Sequence, residues 1–442
     1  MKKKNVFLVL TVTIALALAL TLVQGFMHFI PMRKLGGHTS EVKPVELTFS
    51  NYYEGAYQDY LNEKAKESGG FREFFIRCYN QMLYSGFNIV SNEHVVEGLN
   101  KEYYLLWYLG ESRGDQMLKY FPDEDSAKSV ARKNVEKTMV LIDSLKNHGT
   151  EFLFVFAPTK PAVYPEFMPD GYRDSIASFS LEEYYIKLFD EKGINYIDFY
   201  SYFKTIKDSF PYPLYTRYGT HWSESTIPMV ADSIMRKIES ITGYDLPTVE
   251  CVDWNFTDQY SGHDDELETS MNLLFPVKKP ELPRPVTALS DTIGKDKPNL
   301  LAVGDSYFIQ LWESSFVKAF ANWDYWHYNR DIYSSNPKYN WQKVDNLEDV
   351  FDVICDADIV LAVSTAPNFY EYMFGFCDMT LEMMRNGGLS MEKQVELMIN
   401  KIKQIPDWYE GVVKQAEERN ITVEEALYDN ALYTVKKLSA KQ

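Results

Sequence analysis

The chain predicts an α/β fold built on a mostly parallel sheet with helices on both faces, and three observations point to it. Short, continuously apolar runs such as Phe152-Leu153-Phe154-Val155-Phe156-Ala157 and Ile359-Val360-Leu361-Ala362-Val363 read as strands covered on both sides. Amphipathic helical patterns alternate with these runs, which is how parallel strands are connected. With 45% hydrophobic and 15% aromatic residues among 442, the chain has ample material for a large core and is not a disordered polymer.

The elements follow in order. Met1-Lys2-Lys3-Lys4 precedes an apolar stretch without Asp, Glu, Lys or Arg from Val6 to Ile30. As a helix it is roughly 37 Å long, enough to cross a bilayer, with the lysines favouring a cytoplasmic N-terminus. Ala17-Leu18-Ala19 offers a cleavage site if the segment is a signal peptide, but the apolar run extends past the usual signal core, so an uncleaved anchor is expected. In either case the chain after about Arg33 is expected outside the cytoplasmic membrane. Ser126 reads as the cap of a helix running to about Asn147, with Val135, Met139, Ile142 and Leu145 near one face and Gly149 as its stop. Strands are expected at Phe152–Pro158, Ile194–Phe199, Asn299–Val303 and Asp358–Ser364, with a helix from Ser223 to about Ile241. Pro276, Pro280, Pro283, Pro285 and Pro298 read as a stiff connector before the third of these strands. From about Leu381 onward the pattern is that of polar amphipathic helices packing on the sheet domain. The expected division is an anchor at 1–32, a region packing on the catalytic domain at 33–125, the α/β domain at 126–380 and a helical tail at 381–442.

A formal net charge of −18 argues against nucleic acid and anionic headgroups as partners, since both require a basic patch. The four cysteines Cys78, Cys251, Cys355 and Cys377 are scattered without metal spacing and read as free thiols rather than as a disulfide framework.

The strongest chemical signal is Asn299-Leu300-Leu301-Ala302-Val303-Gly304-Asp305-Ser306-Tyr307, an apolar run ending on Gly-Asp-Ser. That ending turns the chain so that Ser306 is presented at the carboxyl edge of the sheet, where open α/β folds place their ligands. A serine attacks a carbonyl carbon only when a base takes its proton, and His221 in Tyr218-Gly219-Thr220-His221-Trp222 is the candidate base. His28, His38, His94 and His148 read as solvent-facing or interfacial, and His327 as packed in an aromatic core. His263 beside Asp264 and Asp265 lacks a second histidine at ligand spacing, so no metal is called for.

The order of these landmarks resembles that of the SGNH-hydrolase-like polysaccharide O-acetyltransferases, the family of the periplasmic alginate O-acetyltransferases. The resemblance runs from Phe71-Arg72-Glu73 through Phe156-Ala157-Pro158-Thr159-Lys160, Thr220-His221-Trp222 and Asp265-Glu266-Leu267 to Gly304-Asp305-Ser306-Tyr307 and the strand ending near Asn368. It implies a three-layer SGNH-hydrolase-like fold. It implies Ser306 as acetyl acceptor, His221 as general base and the Ser306 backbone amide in the oxyanion hole. Asp305, Tyr307, Arg330, Asn368 and Tyr370 become candidates for orienting substrate or stabilising the oxyanion, although Arg330 has an ion pair with Asp331 as its plain alternative. No cofactor is implied.

The chain departs from the family at Gly219, where an acid normally stands two positions before the histidine. Asp198, Asp264 or Asp265 are the candidates for a displaced third member. A Ser–His dyad, which Gly219→Asp would then improve, and a non-catalytic member remain open. The resemblance implies acetyl transfer to hydroxyls of a cell-envelope or exported polysaccharide, with a multi-spanning membrane acyltransferase as donor. The alternatives are a carbohydrate esterase with the same Ser/His site and a polysaccharide-binding scaffold.

Overall fold

Residue alternation along the buried strands divides the core in two. The computed structural model describes residues 3–37, 42–67, 69–260, 262–346, 350–386 and 391–439. Its central sheet has six strands: β1 (Glu151–Ala157), β2 (Tyr196–Asp198), β3 (Leu300–Gly304), β4 (Trp323–His327), β5 (Asp331–Ser334) and β6 (Ile359–Thr365). Phe152, Phe154 and Phe156 of β1 face one layer together with Leu301, Val303, Val360 and Ala362. Leu153, Val155 and Ala157 face the other with Leu300, Ala302, Leu361 and Val363. Helices Glu124–Lys146, Leu181–Lys192 and Phe376–Arg385 cover the first face, while Phe199–Ile206, Ile227–Thr242 and Tyr307–Glu313 cover the second. Apolar side chains are needed on both sides of each strand, so these strands read as continuous rather than alternating runs.

The strand order is β2-β1-β6-β3-β4-β5, parallel throughout except for the β4/β5 pair. In register, Val363 lies beside Gly304 and Gly304 beside His327. The carboxyl ends of β6, β3 and β4 therefore reach one edge at the same level, and the candidate site is built there.

Four local readings change. The helix expected to be capped by Ser126 starts at Glu124, because the Asp123 side chain accepts from the Ser126 backbone N–H at 2.7 Å and acidic residues fill the first turn. The proline-rich connector is partly a strand: Leu282–Ser290 pairs antiparallel with Thr248–Thr257, placing Pro283 beside Phe256 and Pro285 beside Trp254. A two-stranded ribbon tolerates proline because its outer edges need no ladder donor. The helices Met391–Gln404, Pro406–Arg419 and Val423–Ser439 pack on one another around Val395, Ile402, Val412, Leu427 and Val435 instead of depending on the sheet for a core. His327 is only half-buried; His28, His94 and His148 are exposed, and His38 lies outside the described residues.

Among the described residues one helix is long and apolar enough to cross a membrane: Val6–Met27, with a mean hydropathy of 2.8. Phe7, Leu8, Leu16, Leu18 and Leu22 are each more than half exposed on it. All four cysteines are free thiols, with Cys377 buried and the other three half-buried.

Candidate active site

Gly304 ends β3 where the backbone of β6 passes close by; a Cβ there would meet the Val363 carbonyl oxygen at 2.8 Å. Asp305 follows and fixes the turn. Its Oδ1 accepts from the Tyr307 N–H at 3.1 Å, and its Oδ2 accepts from the Thr365 N–H at 2.8 Å, the Thr365 hydroxyl at 2.8 Å and Asn368 Nδ2 at 2.7 Å. The aspartate thus clasps the end of β3 to the end of β6, and Ser306 is left at the mouth of the turn, opening the helix Tyr307–Glu313.

Ser306 Oγ lies 2.7 Å from His221 Nε2. The histidine is carried by a loop, yet that loop is tied to the helix that follows the serine. The Tyr307 hydroxyl donates to the Thr220 carbonyl at 2.8 Å, Gln310 Nε2 donates to the Trp222 carbonyl at 3.0 Å, and the Tyr307 ring packs 4.7 Å from the imidazole. Serine and base are positioned by one short element, so their relative geometry does not depend on a flexible arm.

The acid that faces His221 is Glu266. Its carboxylate oxygens lie 2.8 and 2.9 Å from His221 Nδ1, and Oε1 also accepts from the Thr220 and His221 backbone N–H groups and the Thr220 hydroxyl. The Leu267 N–H donates to the Tyr218 carbonyl at 2.9 Å, which fastens the Glu266 segment alongside the histidine segment. Burial opposes ionisation of Glu266, but the imidazole charge of His221 and hydrogen bonds from His221, His263 and Thr220 outweigh it and hold the carboxyl well below its usual pKa. An ionised acid on Nδ1 fixes the tautomer that leaves Nε2 free to accept the serine proton.

The three acids named from sequence are engaged elsewhere. Asp198 caps the helix Phe199–Ile206 by accepting from the Ser201 N–H at 2.7 Å. Asp264 accepts from the Glu224 N–H at 3.3 Å, and burial followed by repulsion from Glu224 pushes it up to about 7. Asp265 pairs with Lys279 at 2.6 Å, and burial still pushes it up to about 7. Gly219 is closed to the substitution that would improve a dyad, because a Cβ there would meet the His263 carbonyl oxygen at 2.6 Å and Thr216 Oγ1 at 2.8 Å.

The substrate-orienting candidates also separate. Asp305 and Tyr307 are buried scaffolding under the site. Asn368 spends its amide on Asp305 Oδ2 and on Thr365 Oγ1 at 3.0 Å. The Tyr370 hydroxyl donates to Glu111 in a different cavity. Arg330 is 65% exposed at its side chain and pairs with Asp331 at 3.0 Å. The sequence reading missed Tyr328. Its N–H donates to the Gly304 carbonyl at 2.8 Å, on the turn after β4. Burial, and after it the nearby Asp305 carboxylate, raise its phenol pKa, with the neighbouring Ser306 opposing them.

His263 stands on the far side of Glu266. Its Nδ1 is 3.6 Å from Glu266 Oε2 and 3.4 Å from His221 Nδ1, so His221, His263 and Glu266 form a group able to hold a metal ion. Burial by itself lowers the His263 pKa, but the Glu266 carboxylate, helped by Glu224, raises it overall.

Residues 119–325, which include Ser306, His221 and Glu266, match the sequence model of the family described as ALGX, the SGNH hydrolase-like domain of acetyltransferase AlgX. No curated protein matches the chain. Solved structures similar to it include the O-acetyltransferase domain of Pseudomonas putida AlgJ, 12% identical over 64% of this chain and 98% of that one, with a TM-score of 0.39. Pseudomonas aeruginosa AlgX is 14% identical over 64% of this chain and 67% of its own, with a TM-score of 0.40. Bacillus cereus PatB1 with a sulfonyl adduct is 14% identical over 56% and 93%, with a TM-score of 0.38. The match to the SGNH hydrolase-like domain of the AlgX type thus covers residues 119–325, somewhat under half of the chain, and this segment holds Ser306, His221 and Glu266.

Proposed function

We propose that this protein is a membrane-anchored, extracytoplasmic O-acetyltransferase that moves acetyl groups onto hydroxyls of a cell-envelope or exported polysaccharide through an acetyl-Ser306 intermediate. The observation that carries this reading is the continuous hydrogen-bond chain Ser306 Oγ–His221 Nε2 at 2.7 Å and His221 Nδ1–Glu266 at 2.8 Å. His221 takes the Ser306 proton as Oγ attacks the acetyl carbonyl, and Glu266 stabilises the imidazolium that forms. The negative charge that develops on the carbonyl oxygen falls between the Ser306 backbone N–H and the Tyr328 hydroxyl. The imidazolium then protonates the donor's leaving group. In the second half-reaction a sugar hydroxyl gives its proton to His221, attacks the acetyl-serine and releases Ser306.

The helix Val6–Met27 serves as the anchor, the segment 126–380 as the catalytic domain, with 33–125 packed on it and 381–442 as a helical appendage. Acetyl-CoA is cytoplasmic, so the donor on the far side of the membrane is an acetylated multi-spanning acyltransferase. The scaffold alternative rests on Gly219, and the Glu266 carboxylate 2.8 Å from His221 Nδ1 supports the catalytic reading over it.

The test uses the full chain in detergent with an activated aryl acetate and an oligosaccharide acceptor. The expected result is acetyl transfer to the saccharide faster than release of free acetate. Rapid hydrolysis indifferent to saccharide would make the protein an esterase. No turnover, with saccharide binding unchanged in Ser306→Ala, would make it a scaffold.

A further inference from the structure

His263 takes no part in the proposed acetyl transfer, yet its Nδ1 points at the same carboxylate that holds the catalytic histidine. Two imidazole nitrogens lie 3.4 Å apart, and the first of them already faces Glu266 at 2.8 and 2.9 Å. His263 Nδ1 reaches Glu266 Oε2 at 3.6 Å. With His221 Nδ1 donating its proton to Glu266, the contact between the two nitrogens is not a hydrogen bond. Three Lewis bases converge on one point.

The spacing suits a particular kind of cation. Zinc holds imidazole nitrogen and carboxylate oxygen at about 2.0–2.2 Å, which puts neighbouring ligands of a tetrahedron about 3.3–3.5 Å apart. The His263 separations of 3.4 and 3.6 Å are close to this, and the 2.9 Å His221–Glu266 hydrogen bond has to open by about 0.5 Å once its proton leaves. Two nitrogens and one oxygen favour a borderline transition metal over Mg²⁺ or Ca²⁺, which take oxygen donors. The surroundings also suit ligation. Glu266 Oε1 is held by the Thr220 and His221 N–H groups, which leaves Oε2 as the freer oxygen, and the other ring nitrogen of His221 is held by Ser306. The side chains are 11% (His221), 15% (His263) and 26% (Glu266) exposed, so solvent can supply a fourth ligand.

We propose that His221, His263 and Glu266 form an inhibitory site for a zinc-class divalent cation. The cation takes the lone pair of His221 Nδ1, so the single ring proton of the neutral imidazole moves from Nδ1 to Nε2. Nε2 then donates instead of accepting, and Ser306 loses its base. Any proton on His263 Nδ1 is released to solvent on binding. The coordination half of this inference is independent of the proposed acetyl transfer; the inhibition half rests on it.

The experiment titrates Zn²⁺ and, separately, Mg²⁺ into the tag-free full chain by calorimetry, comparing wild type with Ser306→Ala, His263→Ala and His263→Asn. The expected result is one zinc bound by wild type and by Ser306→Ala, affinity weakened at least about tenfold in both His263 variants, and no Mg²⁺ binding at this site. X-ray absorption of the wild-type zinc complex should show two imidazoles and an oxygen ligand. Zinc should inhibit aryl acetate hydrolysis, with at least about tenfold more needed in the His263 variants, each measured against its own metal-free rate. Two variants of different size, each checked by its melting transition, separate ligand loss from misfolding. Equal zinc affinity in wild type and in a folded His263 variant would overturn the site, as would the absence of a stoichiometric zinc. Zinc binding lost with His263 in a chain that hydrolyses nothing would uphold the site and reject the acetyltransferase reading.

Discussion

Two groups of buried acids sit at the carboxyl edge of the same sheet and are treated by the fold in opposite ways. At β3, Glu266 is surrounded by donors and stays ionised although buried. Beyond β1, a cavity of about 450 Å³ is lined by Glu111, Glu182 and Tyr370. Glu182 is 1% exposed and neither carboxyl oxygen has a hydrogen-bond partner among the described residues, so burial, and after it repulsion from Asp198, push its pKa well above the usual carboxylate range. Glu182 is the more deeply buried of the two, Glu266 being 26% exposed at its side chain, but burial opposes ionisation of both. What reverses the outcome at Glu266 is the set of donors aimed at its carboxyl.

The largest effect that would break this contrast is loss of the Ser–His–Glu chain. Ser306→Ala and His221→Ala should each lower acetyl transfer by at least about a thousandfold, and the pair together should cost little more than either alone, because the residues act as a unit. Glu266→Gln should cost up to about four orders of magnitude in kcat, as neutralising the histidine's acid partner does in serine proteases. Glu182→Gln, in the contrasting cavity, should leave steady-state rates little changed. A severe loss from Glu182→Gln with a mild one from Glu266→Gln would invert the account.

Tyr328→Phe sharpens the contrast within the site. Removing one oxyanion donor should lower kcat by about a hundredfold with little change in KM. A rise in KM alone would instead assign the phenol to substrate binding.

The acid on the other side of the comparison is read through stability. Burial pushes Glu111 up to about 7 from a reference of 4.5. The folded chain therefore keeps a proton that the unfolded chain releases, so Glu111 makes stability fall as pH rises from about 4.5 to about 7, by an amount of order 3 kcal/mol, and then level off. Glu111→Gln should flatten the melting temperature across that window, whereas an unaltered slope would mean that another group sets it.

The smallest effect concerns Gly219. Gly219→Asp should lower the melting temperature by an amount worth about 1–3 kcal/mol without raising activity, because the new side chain has no room beside the His263 carbonyl. A gain in activity at unchanged stability would show that Glu266 is not the partner of His221.

How far the sequence was legible follows from the range of each signal. The central strands announce themselves because each is buried on both faces, so apolarity is written into consecutive residues. Ser306 and His221 stand in short local motifs. Glu266 lies 45 positions beyond the histidine it faces, and tertiary contacts such as Leu267 N–H to the Tyr218 carbonyl and the Thr216 hydroxyl to the Asp264 carbonyl select it over its neighbours. Asp264 and Asp265 are adjacent, but the turn sends them toward the Glu224 N–H and Lys279. The missing acid at Gly219, together with Asp265-Glu266-Leu267 among the family landmarks, was the available signal. Proline content misled at Leu282–Ser290, since a two-stranded ribbon accepts what a central strand would reject.

The central claim is that Ser306 carries the acetyl group, and a covalent adduct tests it most directly. The full chain is mixed briefly with an activated aryl acetate, quenched in acid, digested and analysed by mass spectrometry. One acetyl group should appear on the peptide containing Ser306, be absent from Ser306→Ala, and disappear when a saccharide acceptor is added before the quench. Acetate release or transfer with no acetyl on that peptide, or an acetyl label that persists in Ser306→Ala and is passed on to the acceptor, would contradict the account.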